Sequence, residues 1–309
     1  MKLSKTVAAA SVAITLLVSP AGAQERISIG TGGTGGLFYV IGAGIAELLN
    51  KYMPGTTARA EVTGASVENI RRVAAGQMTF GLSSSSTLFE ASKGQGPFQE
   101  ALPVAGMANL YPAVLQIAAL KSSGIETLAD LAGKRVNMGP PGSNSAVLAQ
   151  RLLEAYGVFD AGNVQFLSYN EGTAALINGN IDAAVVLAGA PTAALIDLGA
   201  QKEMQLLPAD AEKLKGLIAA FPFYQPFEIP AGTYQGQTDP VLAINDPATL
   251  FTVQSVSEAT IGGIMKAVFD HLDELGQVHP QAKAISLSTA PQTPVPLHPA
   301  AQQYFDGKK

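Results

Sequence analysis

Apolar and polar residues alternate along this chain in two periods, one typical of strands and one typical of helices. Residues 27–29 form a short apolar run that predicts a strand, and apolar residues from Phe38 to Tyr52 recur at helical spacing. The next predicted elements are a strand at 58–62, a helix capped by Ser66 and ended at Gly76, and a strand at 79–82. Such alternation predicts a mostly parallel sheet covered on both faces.

The same alternation starts again after a long predicted strand at residues 111–120. The predicted elements of this second unit are a short helix at 127–133, a strand at 135–138, a helix at 146–156, a strand at 164–169, a helix at 171–180 and a strand at 183–187. The aromatic and proline-rich segment 221–230 interrupts the second unit, and a long helix is predicted near 257–275. Two α/β units followed by a returning tail indicate two lobes joined by more than one crossing segment.

The first residues have the features of a secretory signal peptide. Lys2 and Lys5 precede an apolar run of about a dozen residues, shorter than the roughly 20 that span a bilayer. A small-residue cleavage pattern, Ala21-Gly22-Ala23, follows this run. We therefore expect cleavage near Ala23-Gln24 and a periplasmic protein; a retained membrane anchor is the alternative.

Composition narrows the classes of function. Removing residues 1–23 takes away two lysines and no acid, so the formal charge goes from −5 to −7, which argues against a nucleic-acid or anionic-membrane surface. The chain contains no cysteine, so disulfides and thiolate metal sites are excluded. At this length the chain can bury a large core without such links.

The glycine-rich turn GTGGTGG has two interpretations. Gly30, Gly32 and Gly35 fit the G-x-G-x-x-G spacing of dinucleotide-binding turns. However, the chain is expected to leave the cytoplasm, and no Lys-Ser/Thr pair follows the glycines as in a Walker loop. Glu61 is the one acid near the end of the next predicted strand, and the alternation of its neighbours does not determine which face its side chain points to. The turn is therefore interpreted as a binding turn for another ligand.

Catalytic and metal sites receive little support from the sequence. The three histidines, His271, His279 and His298, lack the spacing of metal ligands. The nucleophile elbow G-x-S-x-G is absent around Ser143. We therefore expect no enzyme activity, no metal and no cofactor.

Three Gly/Ser-rich turns offer binding chemistry instead. They lie at residues 31–36, 66–69 and 141–145, each at or just before the start of a predicted helix. Free backbone N–H groups and the positive end of the helix dipole favour an anion there. These residues could also simply cap their own helices. Three such turns in two matched lobes favour a shared carboxylate-binding cleft at the carboxyl ends of the strands.

Several motifs resemble those of a known family. ISIGTGGTGGLFYVIG, EVTGASVENIRRVAAGQ, TLADLAGKRVNMGPPGSNS, IDAAVVLAGAP, IPAGTYQGQ and PLHPAAQQYF occur in order through nearly the whole chain after residue 23. Together they are similar to the TAXI family of periplasmic solute receptors for TRAP transporters. The resemblance implies a type II periplasmic binding-protein fold, in which two α/β lobes with a hinge close on a ligand like a Venus flytrap. It also implies a partner, a membrane permease driven by an ion gradient.

The resemblance also implies the ligand and its contacts. Family members bind glutamate-like amino acids and related small carboxylates. The implied contacts are Thr31, Gly35, Tyr39, Ser66, Asn69, Gly142, Ser143 and Ser145, with Gly189 and Pro191 shaping the cleft floor. Tyr39 could instead be a core residue. The tyrosines Tyr111, Tyr224 and Tyr234 are further candidates for the rim of the cleft.

The sequence departs from the family pattern at three places. Ala65 stands where a second glycine is usual, and residues 142–145 are Gly-Ser-Asn-Ser where Gly-Ser-Gly-Thr is frequent. Serines 83–86, with Ser84 as the candidate contact, stand where an acid often ends the third strand. An acid there could pair with a ligand ammonium, whereas serine offers only neutral hydrogen bonds. The serines therefore favour a ligand without an amine, such as a dicarboxylate or a 2-oxo acid, and a glutamate-like amino acid is the alternative.

The expected organisation has a signal peptide and two lobes. The signal peptide covers residues 1–23, lobe 1 covers 24–112 and 228–309, and lobe 2 covers 113–227. We expect a monomer that binds a small carboxylate and delivers it to the membrane subunits of a TRAP permease, with no nucleic-acid partner. An exported enzyme on the same two-lobed fold and a receptor that presents its ligand to a membrane sensor are the alternatives.

Overall fold

The structure, a computed structural model, describes residues 25–308. The predicted signal peptide and its cleavage position lie outside these residues. Within them, no helix combines the length and the apolar character that crossing a bilayer requires.

Twelve strands and ten α-helices alternate along the described residues. The strands are β1 (Glu25–Gly30), β2 (Thr56–Glu61), β3 (Phe80–Ser84), β4 (Val104–Asn109), β5 (Val114–Leu120), β6 (Val136–Asn137), β7 (Val164–Gln165), β8 (Ala183–Ala188), β9 (Met204–Leu206), β10 (Gln225–Ile229), β11 (Val241–Asn245) and β12 (Ala248–Val253). The α-helices are α1 (Leu37–Tyr52), α2 (Ser66–Ala74), α3 (Ser85–Lys93), α4 (Asn144–Tyr156), α5 (Tyr169–Ile177), α6 (Ala193–Gln201), α7 (Ala211–Ala220), α8 (Glu258–Phe269), α9 (Leu272–Val278) and α10 (Pro299–Asp306).

Two sheets organise these elements. The first has five strands in the order β2-β1-β3-β12-β4, and the second has the order β10-β11-β5-β8-β6-β7 with β9 paired to β5. In the first sheet β1 pairs parallel with β2 and β3, while β12 runs antiparallel to β3 and β4. We name residues 25–109 with 248–308 lobe 1, and residues 114–245 lobe 2.

The chain crosses between the lobes twice. The first crossing lies between β4 and β5, close to the predicted position at residues 112–113. The second lies between Asn245 and Ala248, not at residues 227–228, because β10 and β11 both pair within the second sheet. The segment expected to interrupt the second unit therefore supplies one of its strands.

The apolar core runs through both lobes. In lobe 1, α1 buries Ile41 and Ile45 against the first sheet, as the helical spacing of its apolar residues predicts. The same apolar cluster continues to Val186 on β8 and Leu195 on α6 of lobe 2. Two smaller clusters lie under the remaining helices of each lobe. The shared core shows that the two lobes pack directly against each other beside the cleft.

Several element boundaries differ from those predicted. Ser66 is the first residue of α2, and Ala65, at a φ of 75°, precedes it as the capping residue without a side-chain hydrogen bond. The predicted strand at 164–169 is short, because Tyr169 already begins α5. The predicted long helix near 257–275 is two helices, which meet at His271.

Candidate functional site

A small cavity lies between the two lobes, where the carboxyl ends of several strands meet helix starts. Its volume is ≈ 30 Å³, room for a few water-sized groups. The residues that line it are Gly32, Gly33, Gly36, Leu37, Phe38, Ala65, Ser66 and Ser84 from lobe 1, and Pro140, Ser143, Asn144, Ser145, Tyr169 and Leu187 from lobe 2. None of these lining residues carries a charged side chain.

Helix N-termini surround this cavity. Leu37, Ser66, Asn144 and Tyr169, which line it, begin α1, α2, α4 and α5, and Ser84 caps α3. The first turn of a helix presents backbone N–H groups without intrahelical partners and the positive end of the helix dipole. First-turn N–H groups of α2 and α3 already bond the Gly142 carbonyl and the Asp246 carboxyl. Helices α1, α4 and α5 therefore offer the first-turn N–H groups that suit a small anion, without any cationic side chain.

Serine hydroxyl groups from both lobes face the cavity. In lobe 1, Ser66 Oγ accepts a hydrogen bond of 3.0 Å from the backbone N–H of Ser84. In lobe 2, Ser143 Oγ lies 2.7 Å from Ser145 Oγ and donates to the carbonyl of Pro140 at 2.6 Å. All four serines are buried, and their hydroxyl groups can turn toward a bound molecule.

Tyr169 closes one side of the cavity. Its hydroxyl donates to the carbonyl of Leu187 at 3.0 Å and accepts from the N–H of the same residue at 3.2 Å. Burial raises the pKa of this phenol, so the group stays neutral at physiological pH. Tyr169 therefore acts as an uncharged wall that is held to β8.

A buried carboxyl group lies behind the cavity, at the second crossing between the lobes. Asp246 accepts a bond of 3.0 Å from the backbone N–H of Ser86 and another from the Ser86 hydroxyl. Asn144 Nδ2 donates to the same carboxyl at 2.7 Å, and this bond joins α4 of lobe 2 to the crossing. Burial raises the pKa of Asp246 to about 6, although these hydrogen bonds favour the charged form.

A buried ion pair joins the lobes further along the same two helices. Arg151 on α4 bonds Glu90 on α3 at 2.6 Å and Tyr224 Oη at 2.7 Å, and the guanidinium lies 4.3 Å from the ring centroid of Phe221. Side-chain exposure is 13% for Arg151 and 5% for Glu90, so solvent screens this pair little. Helices α3 and α4 are thus linked both at their N-termini and along their length.

Several of the predicted contact glycines lie where the lobes touch. The carbonyl of Gly142 accepts hydrogen bonds from Val67 N–H at 3.0 Å and Glu68 N–H at 3.1 Å, so it binds the first turn of α2 across the cleft. A Cβ at Gly35 would overlap the Asn170 side chain, and one at Gly189 would overlap Leu37. These three glycines allow the lobes to approach but do not line the cavity.

Two further predicted contacts have structural partners. Thr31 Oγ1 donates to the carbonyl of Glu61 at 2.6 Å. Asn69 Nδ2 donates to the carbonyls of Thr31 and Leu82 at 2.7 and 2.8 Å, and its Oδ1 accepts from Thr63 Oγ1 at 2.7 Å. Their polar groups therefore join the ends of β1, β2 and β3 and are not lining groups of the cavity.

The remaining predicted positions lie outside the cavity lining. Phe38, not its neighbour Tyr39, lines the cavity, and Pro191 follows a cis peptide bond in the segment after β8. The three rim candidates Tyr111, Tyr224 and Tyr234 are buried and hold the interior of the fold.

Sequence reasoning missed Asn144 and Asp246 as members of the site. Asn144 lies in the predicted binding turn GSNS, of which only the glycine and the two serines were predicted as ligand contacts. The motif therefore indicated the right segment but not this residue. Asp246 follows a strand in the segment IND, which resembles an exposed turn. Its partner Ser86 is 160 residues away, so only the folded chain brings them together.

Within residues 25–308, no cluster of three or more histidine or acidic side chains has the arrangement of a metal site.

Solved structures with a similar fold are known. A periplasmic transporter matches with a TM-score of 0.56 at 13% identity, covering 93% of each chain. A putative L-cystine ABC transporter from Listeria monocytogenes matches with a TM-score of 0.54 at 15% identity, covering 85% of this chain and 98% of the other. The binding-protein component of an ABC phosphonate transporter from Pseudomonas aeruginosa matches with a TM-score of 0.52 at 14% identity, covering 84% and 79%.

These similarities confirm the predicted fold, that of a type II periplasmic binding protein with two α/β lobes. The model of the NMT1-like family matches residues 29–308, which include both lobes and the cavity between them. The chain therefore belongs to the NMT1-like family.

Proposed function

We propose that this protein is a periplasmic solute receptor that captures a small carboxylate between its two lobes and acts without a chemical step. The observation that carries the proposal is the uncharged interlobe cavity at which five helices begin. The first turns of α1, α4 and α5 supply backbone N–H donors for an anion, and serine hydroxyl groups from both lobes add adjustable donors. A ligand that contacts both lobes would stabilise the closed arrangement by its differential affinity for it.

The fold supports a role in binding. The structural neighbours described above include components of ABC transporters named for cystine and phosphonate. We propose an analogous role here, with the lobes divided at the two crossings and with residues 1–23 directing export. The protein would work as a monomer, need no cofactor and bind no nucleic acid.

The permease that receives the ligand is the finer part of the proposal. The ordered motifs that resemble TAXI receptors support an ion-gradient-driven TRAP permease as the partner. Uptake by the co-expressed permease should then require both this receptor and the ion gradient, and it should continue when ATP is depleted but the gradient is held. A requirement for ATP would instead indicate an ABC partner.

The chemistry of the cavity supports an amine-free ligand. No acid lines it to pair with an ammonium group, and the positive ends of five helices oppose a cation. Among small carboxylates, dicarboxylates and 2-oxo acids therefore fit the site better than glutamate does.

A thermal-shift screen of the mature protein tests the proposal. The probes are amino acids, dicarboxylates, 2-oxo acids, sulfonates, phosphonates, sugars and nucleotides. A ligand at a hundredfold excess over its Kd stabilises the folded state by about 2.7 kcal/mol, which raises Tm by several degrees. Shifts confined to small carboxylates would support the proposal. A shift with nucleotides alone would show that the glycine-rich turn holds phosphate groups.

A further inference from the structure

Asn144 presents the cavity with an amide whose two ends have different surroundings. Its Nδ2 donates to Asp246 Oδ2 at 2.7 Å and to Ser86 Oγ at 3.2 Å. Its Oδ1 is buried and has no hydrogen-bond partner among residues 25–308, and the residue as a whole is only 2% exposed. Asn144 lines the cavity, and its side chain thus combines a satisfied donor end with a buried, unsatisfied acceptor end.

The hydrogen-bond network fixes which end is the acceptor. Rotating the amide by half a turn would place Oδ1 against the Asp246 carboxyl, where two acceptors would face each other. The carboxyl already holds the Ser86 backbone N–H and hydroxyl, so its position is fixed too. The oxygen of Asn144 is therefore the end left for a bound molecule.

A buried acceptor without a partner favours a ligand that supplies a donor. Leaving such a group unsatisfied costs free energy that a donor on the ligand recovers. An ammonium group could donate, but five helix N-termini surround the site and none of its lining residues is acidic. A 2-oxo group offers only an acceptor, which would oppose Oδ1. A hydroxyl group donates without adding charge.

The position of Asn144 also places the hydroxyl group near the anion. Asn144 is the first residue of α4, so its backbone N–H belongs to the anion-binding first turn while its side chain carries the acceptor. A ligand held by both would carry its hydroxyl close to its carboxylate, as a 2-hydroxy acid does. The small volume of the cavity favours a short carbon chain.

We infer that the site selects a small 2-hydroxy carboxylate and that Asn144 Oδ1 accepts the proton of its hydroxyl group. This inference rests on the proposed function, since it specifies the ligand of the same cavity. It narrows that function from small carboxylates in general to those with a neutral donor beside the acid group.

Two matched sets of probes test the inference by calorimetric titration of the mature protein. The first is propionate, lactate, pyruvate and alanine, and the second is succinate, malate, oxaloacetate and aspartate. We expect the hydroxy acid of at least one set to bind roughly tenfold or more tightly than the other three members. Equal or weaker binding of the hydroxy acid, or tightest binding of the amino acid, would overturn the inference and leave carboxylate binding intact. Failure of every probe would overturn the proposed function as well.

Asn144→Ala separates recognition of the hydroxyl from general damage. If the substitution only damages the structure, the affinities for the hydroxy acid and for the same acid without its hydroxyl group should fall by the same factor. If it removes the acceptor of the hydroxyl group, the hydroxy acid should lose its advantage over the other acid. Ser86→Ala is the matched control, because it removes a donor to Asp246 and the weaker of the two acceptors of Asn144 Nδ2 but keeps Asn144 Oδ1. We expect the ratio to collapse to about one in Asn144→Ala and to persist in Ser86→Ala. A ratio unchanged in Asn144→Ala would assign hydroxyl recognition elsewhere and overturn the role of this residue.

Discussion

At the scale of single residues, Asn69 shows how a polar side chain near a site can serve the fold. Its amide joins the carbonyl oxygens at the ends of β1 and β3 and also holds Thr63. All three partners belong to lobe 1, and the side chain is fully buried. Asn69 therefore positions the turns that carry the site and is not itself part of the cavity wall.

Asn69→Ala should consequently change stability more than ligand affinity. The carbonyl oxygens of Thr31 and Leu82 would each lose the bond from Asn69, although Thr63 Oγ1 still donates to Thr31. We expect the free energy of unfolding to fall by about 2–4 kcal/mol. Urea unfolding measures the loss, and calorimetry below the transition measures the affinity of the folded protein. A large loss of affinity with unchanged stability would show that Asn69 contacts the ligand, as its motif implied.

Gly64 is a residue whose lack of a side chain lets the lobes meet. A Cβ at this position would overlap the carbonyl oxygen of Pro141 in lobe 2, and Gly64 is not among the described glycines with positive φ. Within lobe 1 the Cβ would also meet Glu68 Oε2 at 2.9 Å, but that atom ends a flexible side chain that can move. The larger overlap is with the backbone of Pro141 and arises where the two lobes are in contact.

Gly64→Ala should weaken ligand binding through closure. Overpacking of this kind costs about 1–3 kcal/mol, which corresponds to a rise in Kd of about five- to 150-fold. Gly216→Ala on α7 is the control, because a Cβ there meets no atom within 4 Å. Equal affinities of the two variants would show that binding does not require contact between Gly64 and Pro141.

At the scale of elements, one carboxyl group at the second crossing links two strands and two helices. Asp246 follows β11 and precedes β12, and it accepts hydrogen bonds from α3 and α4. Burial is the largest cause of its raised pKa of about 6. The nearby charge of Glu90 raises the pKa of Asp246 further, and Asp246 in turn raises the pKa of Tyr224. Arg151 bonds both Glu90 and Tyr224.

The raised pKa of Asp246 predicts a pH dependence with a definite sign. The folded state binds this proton more tightly than the unfolded chain, whose aspartate pKa is 3.8. The group therefore lowers the free energy of unfolding as pH rises from about 4 to about 6, by about 3 kcal/mol in total, and the cost stays constant above that pH.

Comparison with Asp246→Asn isolates this contribution. Carboxyl groups with lowered pKa, such as Asp182 and Asp270, titrate in both proteins and cancel in the difference. Relative to the natural protein, the variant should gain stability as pH rises from 4.5 to 6 and then show a constant difference to pH 7.5. Urea unfolding at each pH measures this difference. A difference independent of pH would show that Asp246 titrates normally.

The sequence predicted elements and the neighbourhood of the site better than it predicted individual contacts. Apolar spacing identified α1, and the turns with Ser66 and Ser143 indeed reach the cavity. Whether Phe38 or Tyr39 lines the cavity depends on how α1 is rotated about its axis. Tertiary packing sets this rotation. Whether a polar group such as Asn69 faces a ligand or a neighbouring strand likewise depends on contacts far away in sequence.

Strand pairing explains why the lobe boundary was misplaced. The residues 225–229 contain a proline and mixed polarity, which weaken the signal of a strand. Their place at the edge of the second sheet follows from pairing with β11, and β11 in turn pairs with β5. Such long-range pairing leaves no local pattern in residues 225–229 themselves.

At the scale of the whole molecule, the contacts across the cleft define a movement that can be measured. Val62 in lobe 1 and Phe166 in lobe 2 are exposed by 57% and 50%. Each lies two residues before a position that faces the other lobe, namely Gly64 beside Pro141 and Ser168 beside Gly33. Val62 and Phe166 are therefore exposed positions, one in each lobe, that lie close in sequence to contacts between the lobes.

Spin labels at these positions should report closure. The chain has no cysteine, so Val62→Cys with Phe166→Cys supplies two unique attachment sites. A ligand that contacts both lobes shifts the population toward the closed state. The distances between the two labels, measured by pulsed electron paramagnetic resonance, should therefore become shorter when ligand is added. Lys215→Cys with Phe166→Cys places both labels in lobe 2, and its distance distribution should stay unchanged. If the first pair also stays unchanged at saturating ligand, binding does not close the lobes, and affinity must arise from a cleft that is already formed.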